Sequence, residues 1–137
     1  IDRIGRKTLL LAGAAGMSLC LTAAAGVLYG ALDNSLMLPA LIGFIAFFAT
    51  SQGAVIWVYI SEIFPTPVRA RGSALGASTH WLMNALIAGI FPILVAWSSG
   101  APFAIFAAAM VVQFIVVAAI FPETQGVDLD EMAQRIE

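Results

Sequence analysis

The sequence predicts an all-α membrane protein with four transmembrane helices and a short cytoplasmic C-terminal helix. Three observations lead there. Hydrophobic residues make up 61% of the 137 residues and charged ones only 10%, against roughly 25% charged in soluble domains. The apolar residues gather into four runs, approximately 8–32, 36–64, 72–97 and 102–121. Each run reaches the roughly 20 residues that cross ~30 Å of hydrocarbon at ~1.5 Å per residue. All six basic residues fall on one side of this arrangement: Arg3, Arg6 and Lys7 before the first run, Arg69 and Arg71 after the second, Arg135 after the fourth. Lys and Arg favour the cytoplasmic side, so both termini and the middle loop are expected in the cytoplasm, as in a multi-pass protein of the cell (plasma) membrane.

The first span is rich in Ala and Gly, and Gly26 with Gly30 forms a G-x-x-x-G pair. Small residues let helix backbones approach closely where no hydrophobic contrast with the lipid drives association. Asp33-Asn34 supplies a short turn, so the first two spans form an antiparallel hairpin. The second span runs to Glu62 and leaves the bilayer through Pro65, Pro67, Arg69 and Arg71. The third and fourth spans are joined by Ser98-Ser99-Gly100, with Trp97 beside the turn as an interfacial anchor. Gln113 is the only strongly polar side chain of the fourth span, which is therefore expected to be the most lipid-exposed and to carry little chemistry. In the tail, Asp128 and Glu131 resemble a capping box, and Leu129, Met132, Ala133 and Ile136 fall on one face of a short helix.

Several function classes are excluded or unsupported. Ile1 is not an initiator residue and no cleavable signal pattern precedes the first span, so the chain is expected to be part of something larger. Cys20 is the only cysteine, which leaves no disulfide framework within the chain. A net charge of -2 and no basic stripe give nucleic-acid binding no support. With one histidine and no paired carboxylates at suitable spacing, neither a metal site nor a hydrolytic site is supported, and no cofactor is expected.

The chemistry concentrates inside the membrane. Trp57 stands eight residues before Pro65 and Trp81 nine after Gly72, which places both ~12 to 14 Å from the cytoplasmic ends of their helices. Tryptophans at matching depth on consecutive antiparallel helices are candidates for facing walls of one cavity. Trp57 shares a helical face with Thr50, Gly53 and Ser61, while His80 and Asn84 lie one turn apart beside Trp81. Polar and ionisable groups at membrane depth usually face a protein interior or a watery cavity. The combination suits a sugar: indole faces stack on the C–H surface of a pyranose and amides bond its hydroxyls. Glu62, at the cytoplasmic end, needs a cation, and Arg69 is the nearest candidate by sequence. With Asp2, Arg3, Arg6 and Glu123 it makes a charge network able to close one face of a cavity, the bistable element that alternating access requires.

These residues resemble the sugar porter family of the major facilitator superfamily, and specifically helices 9 to 12 of its twelve-helix fold. Asp2-Arg-Ile-Gly-Arg-Lys7 is similar to the D/E-R-x-G-R-R/K loop before the ninth helix. Trp57 with Ser61-Glu-Ile-Phe-Pro65 and Arg69 is similar to the tenth helix and its exit, and Pro122-Glu-Thr-Gln-Gly126 to the P-E-T-K-G sequence after the twelfth. Three such patterns in order cover essentially the whole chain.

The resemblance implies that residues 1–137 are part of the C-terminal half of a carrier for a sugar or polyol. It implies that Trp57, Trp81 and Asn84 lie at the sugar site, with His80 and Gly53 beside them. It also implies that Asp2, Arg3, Arg6, Glu62, Arg69 and Glu123 belong to a cytoplasmic gate. Any coupled proton would be handled by an acid in the absent N-terminal half. The chain departs from the family where Gly53-Ala54 replaces Gly-Pro, which predicts a less kinked tenth helix. His80 stands where Gln or Asn is common, and Gln125 replaces the usual Lys. The competing readings are a major facilitator carrier of another organic solute and a non-transporting four-helix scaffold. A membrane enzyme ranks last.

Overall fold

The computed structural model describes residues 5–122. Asp2, Arg3, Glu123 and the whole amphipathic tail, with its capping box, lie outside the described residues. Within them the regular structure is helical: α1 (Arg6–Leu28), a 3-10 turn (Asn34–Leu36), α2 (Met37–Thr50), α3 (Gln52–Glu62), α4 (Arg69–Trp97) and α5 (Ala101–Ile120). α2 and α3 together form one candidate span, and the described residues hold four helical stretches long and apolar enough to cross a membrane.

α1 ends early because of glycine. Gly30 takes φ +75°, a left-handed conformation that a Cβ penalises. Its N–H reaches Val27 O at 3.0 Å while Ala31 N–H reaches Gly26 O at 2.8 Å, the paired bonds of a Schellman motif. Leu32 folds back over Gly26. The expectation that Gly26 and Gly30 form a helix-packing pair is therefore corrected: they close the helix. The close approach falls instead at Gly13 and Gly16, where any Cβ would overlap Ser51 and the Phe47 ring. In lipid this kind of backbone contact, rather than hydrophobic contrast, holds helices together.

Past the turn, Asp33 accepts the Ser35 N–H at 2.8 Å and caps the 3-10 segment. The Ser35 hydroxyl first, and its N–H second, hold the Asp33 carboxyl below its ordinary range. At the next turn the Tyr29 ring covers Gly100, so the two connections that carry no Lys or Arg touch.

The second span breaks at Ser51, which is 2% exposed. Its N–H is shared between Phe47 O and Phe48 O at 3.2 and 3.3 Å, and its hydroxyl donates to Phe47 O at 2.5 Å. Such back-bonding bends helices. The expected loss of a kink from the missing proline is not what is observed, because serine interrupts the helix two residues before Gly53.

α1 packs extensively along α5 and α2, whereas α4 makes much sparser contacts, chiefly with α3 and α5. The tightest packing lies at the charged end, where Leu10, Val55, Tyr59 and Val117 are buried together under Leu9, Leu11, Ile63 and Phe121. No residue of α4 is buried, while α5 buries Ala101, Pro102, Ala107 and Val117. Within these residues α4, not α5, is the exposed element, contrary to the expectation from composition.

Candidate functional site

α3 and α4 run antiparallel through the short connection 63–68, which brings residues before and after it to the same depth. Gly76 lets α4 approach the Ile60 side chain, and Gly72 receives the Phe64 ring. One turn further along each helix, the Trp57 ring meets His80 edge-on at 5.0 Å and 70°. His80 in turn meets Trp81 edge-on at 5.7 Å and 82°. The two tryptophans do not form opposed walls as the sequence suggested; His80 stands between them in contact with both.

Asn84, one turn along α4, places Nδ2 2.9 Å from His80 Nε2. When the amide donates, Nε2 is the acceptor and the imidazole proton sits on Nδ1, leaving one ring donor for another partner. Trp57 is 40% and Trp81 67% exposed, so indole surface is open to a ligand or to further protein. Gly53 lies apart from this cluster. A Cβ there would face Phe48 O at 3.2 Å and the Phe48 ring, so it serves the junction of α2 and α3. Thr50 and Ser61 bond locally, to Ala46 O and Val58 O at 2.8 and 2.7 Å.

Asn84 also lines a second feature, a cavity of about 320 Å³ between the helices. Gln52 and Gln113 line it too, so the fourth span carries a polar group into the interior, contrary to expectation. Gln52 escaped the sequence reading because it sits beside the break, where helical periodicity loses its phase.

At the charged end, Arg6 Nη2 lies 3.0 Å from Glu62 Oε1, with the side chains 12% and 23% exposed. This corrects the partner expected for Glu62. Arg69 turns the other way, donating to Phe64 O at 3.4 Å and to Thr66 Oγ1 at 3.2 Å, and so holds the connection before α4. Lys7 donates to Ala118 O at 2.9 Å, a cation on the last turn of α5 where the helix dipole is negative. Tyr59 stacks on Phe121 at 5.0 Å and 7° and donates its hydroxyl to Pro122 O at 3.1 Å. The sequence reading missed Tyr59, although a lone tyrosine one turn before a membrane-edge acid was the available signal. Among the described residues no group of three or more His, Cys, Asp or Glu could hold a metal ion.

Four membrane-length helices, the second of them broken at Ser51, give the chain an all-helical membrane fold. The chain belongs to the Sugar (and other) transporter family, whose model matches residues 1–135. It is 36% identical over 96% of its length to probable polyol transporter 3 of Arabidopsis thaliana, spanning 28% of that protein. It is 34% identical over 96% of its length to the arabinose-proton symporter of Bacillus subtilis (strain 168), spanning 29% of it. The inward open conformation of the xylose transporter XylE from E. coli superposes with a TM-score of 0.92 at 30% identity, covering 98% of this chain and 30% of that one. XylE is a major facilitator superfamily proton:xylose symporter. These relatives are transporters rather than enzymes.

Proposed function

We propose that the chain is the counterpart of helices 9 to 12 in the C-terminal half of a carrier that moves a sugar or polyol across the cell membrane by alternating access. The observation that carries this reading is the Trp57–His80–Trp81 cluster, built from two helices and steadied by Asn84. An indole offers a flat apolar face to the C–H side of a sugar ring. Imidazole and amide offer hydrogen-bonding groups for its hydroxyls, and these four residues include no carboxylate, Lys or Arg, which suits a neutral solute. Gly53 belongs in this reading to the hinge above the cluster.

The charged end faces the cytoplasm, following the distribution of Lys and Arg. There the Arg6–Glu62 pair closes the path, with Arg69 holding the connection to α4. Sugar moves when that pair opens, and the packing of α1, α3 and α5 around Tyr59 moves as one body. Proton coupling, where present, uses an acid in the other half of the carrier.

Uptake of a panel of sugars and polyols by the full-length parent in proteoliposomes tests this reading. Saturable uptake of one or more, depressed by Trp57→Ala, supports it. Uptake of none of the panel, or an unchanged KM in the variant, overturns it.

A further inference from the structure

His80 and Asn84 share a hydrogen bond whose direction depends on a proton. Asn84 Nδ2 stands 2.9 Å from His80 Nε2. An amide nitrogen only donates, so Nε2 accepts and the neutral imidazole carries its proton on Nδ1. The Oδ1 of Asn84, an exposed residue, is then left as an acceptor for another partner. A second proton on the ring changes this arrangement. Imidazolium donates from both nitrogens, so Nε2–H would face the amide donor against donor. The amide relieves the conflict by turning over about Cβ–Cγ, which commits Oδ1 to His80 and turns Nδ2 outward. The neutral pair therefore offers a ligand an amide acceptor, and the protonated pair offers donors alone.

The surroundings let the ring take that proton. Trp57 and Trp81 hold their rings 5.0 and 5.7 Å from the imidazole, inside the ~6 Å at which an indole attracts a cation. α4 packs chiefly on α3 and α5, and among the described residues neither brings a charged group to His80. On α3 the Tyr59 hydroxyl is bonded to Pro122 O and Glu62 is paired with Arg6. α5 holds no ionisable residue, nor does the connection 63–68. On α4 itself Arg71 is nine residues away, roughly 14 Å along the axis, and Arg69 is farther. The charge on the ring is thus governed by the ring, two indoles and one amide. Histidine is the side chain whose charge ordinarily changes between about pH 5 and about pH 8.

We infer that His80 and Asn84 form a pH-responsive acceptor for the transported solute, presented when His80 is neutral and withdrawn when it is protonated. The inference rests on the sugar or polyol reading of the aromatic cluster and extends it to a regulated contact. Every sugar hydroxyl has a proton to donate. A pair without an acceptor leaves the hydroxyl beside it unpaired next to the indoles, where a missing hydrogen bond is costly, so binding weakens as pH falls. This response belongs to α4 and is separate from any acid elsewhere in the carrier that couples proton movement.

The test uses the full-length parent, first without sugar. Imidazolium in contact with an indole quenches its emission, so tryptophan fluorescence scanned from about pH 8 to about pH 5 is expected to fall in a step that His80→Gln removes. No step, or a step that survives in His80→Gln, overturns the inference. Affinity for the best-bound member of a sugar and polyol panel is then measured at both ends of the scan. A several-fold loss at the acid end in the parent, and none in His80→Gln, is expected; an equal loss in both overturns the inference. Where His80→Gln does not fold, His80→Asn takes its place. Nitrogen NMR of the histidine-labelled parent at the alkaline end, with His80 assigned by its loss in the variant, is expected to show the Nδ1–H tautomer, and the Nε2–H tautomer overturns the inference. Binding at neither end overturns the carrier reading and this inference with it; binding without a His80-dependent step overturns this inference alone.

Discussion

The first residue of α1 and the last residue of α3 meet: Arg6 and Glu62, 56 positions apart, are joined at 3.0 Å. Both side chains are mostly withdrawn from solvent. The pair thus links the start of one span to the end of another, at the end where all the basic residues of the described helices gather. A contact of this kind can be made and broken by small rotations of the helices that carry it.

Arg6→Gln in the full-length parent is expected to weaken the closed charged end by about 1 kcal/mol or more, the loss of one charge-assisted hydrogen bond to a largely buried carboxylate. The check is the labelling rate of a cysteine placed just inside that end, which should rise several-fold. The charge exchange Arg6→Glu with Glu62→Arg should restore part of the slow rate.

Tyr59→Phe keeps the stack on Phe121 and removes the bond to Pro122 O. A loss of about 1 kcal/mol is expected, seen as a small drop in the thermal midpoint of the purified carrier. Tyr59→Leu removes the ring contact as well and should lower the midpoint further. Equal effects of the two would mean that only the hydroxyl matters.

Gly13→Ala forces a methyl into Ser51 where α1 crosses the break between α2 and α3. Overpacking of this kind typically costs about 1–3 kcal/mol. Thermal unfolding in detergent should show it, and Gly13→Ala combined with Ser51→Gly should recover most of it by making room. No recovery would mean that α1 and α2 are not locked at this point.

Trp57→Ala should weaken sugar binding by roughly 2 kcal/mol, about 30-fold, from the apolar surface it would no longer cover. His80→Gln, which keeps a neutral donor and acceptor, should change the ranking of sugars more than the affinity for the best one. Equilibrium binding across the panel separates the two effects.

Much of this architecture was legible in the sequence because hydrocarbon imposes length and polarity so strictly. Four runs and one-sided Lys and Arg were enough for four helices. The cluster of Trp57, His80, Trp81 and Asn84 was legible as a set because matching distances from Pro65 and Gly72 put these residues at one depth. Their order was not, since rotation about the helix axes decides that His80 rather than Trp81 meets Trp57. Glu62 illustrates the same limit: sequence proximity favoured Arg69, but a connection as short as 63–68 turns Arg69 onto the Phe64 carbonyl and the Thr66 hydroxyl, and a residue from α1 takes the place. Gly26 and Gly30 fit a packing motif on paper and instead end a helix. Ser51 shows that a break can come from a buried hydroxyl competing for a backbone carbonyl, which no proline or glycine pattern marks.

The most direct test of the central claim is a fluorescence titration of the full-length parent with a panel of sugars and polyols, alongside Trp57→Phe. The account predicts a saturable change in tryptophan emission with at least one of them, lost or greatly reduced in the variant. A saturable change that survives intact in Trp57→Phe, or no response to any sugar or polyol, would contradict it.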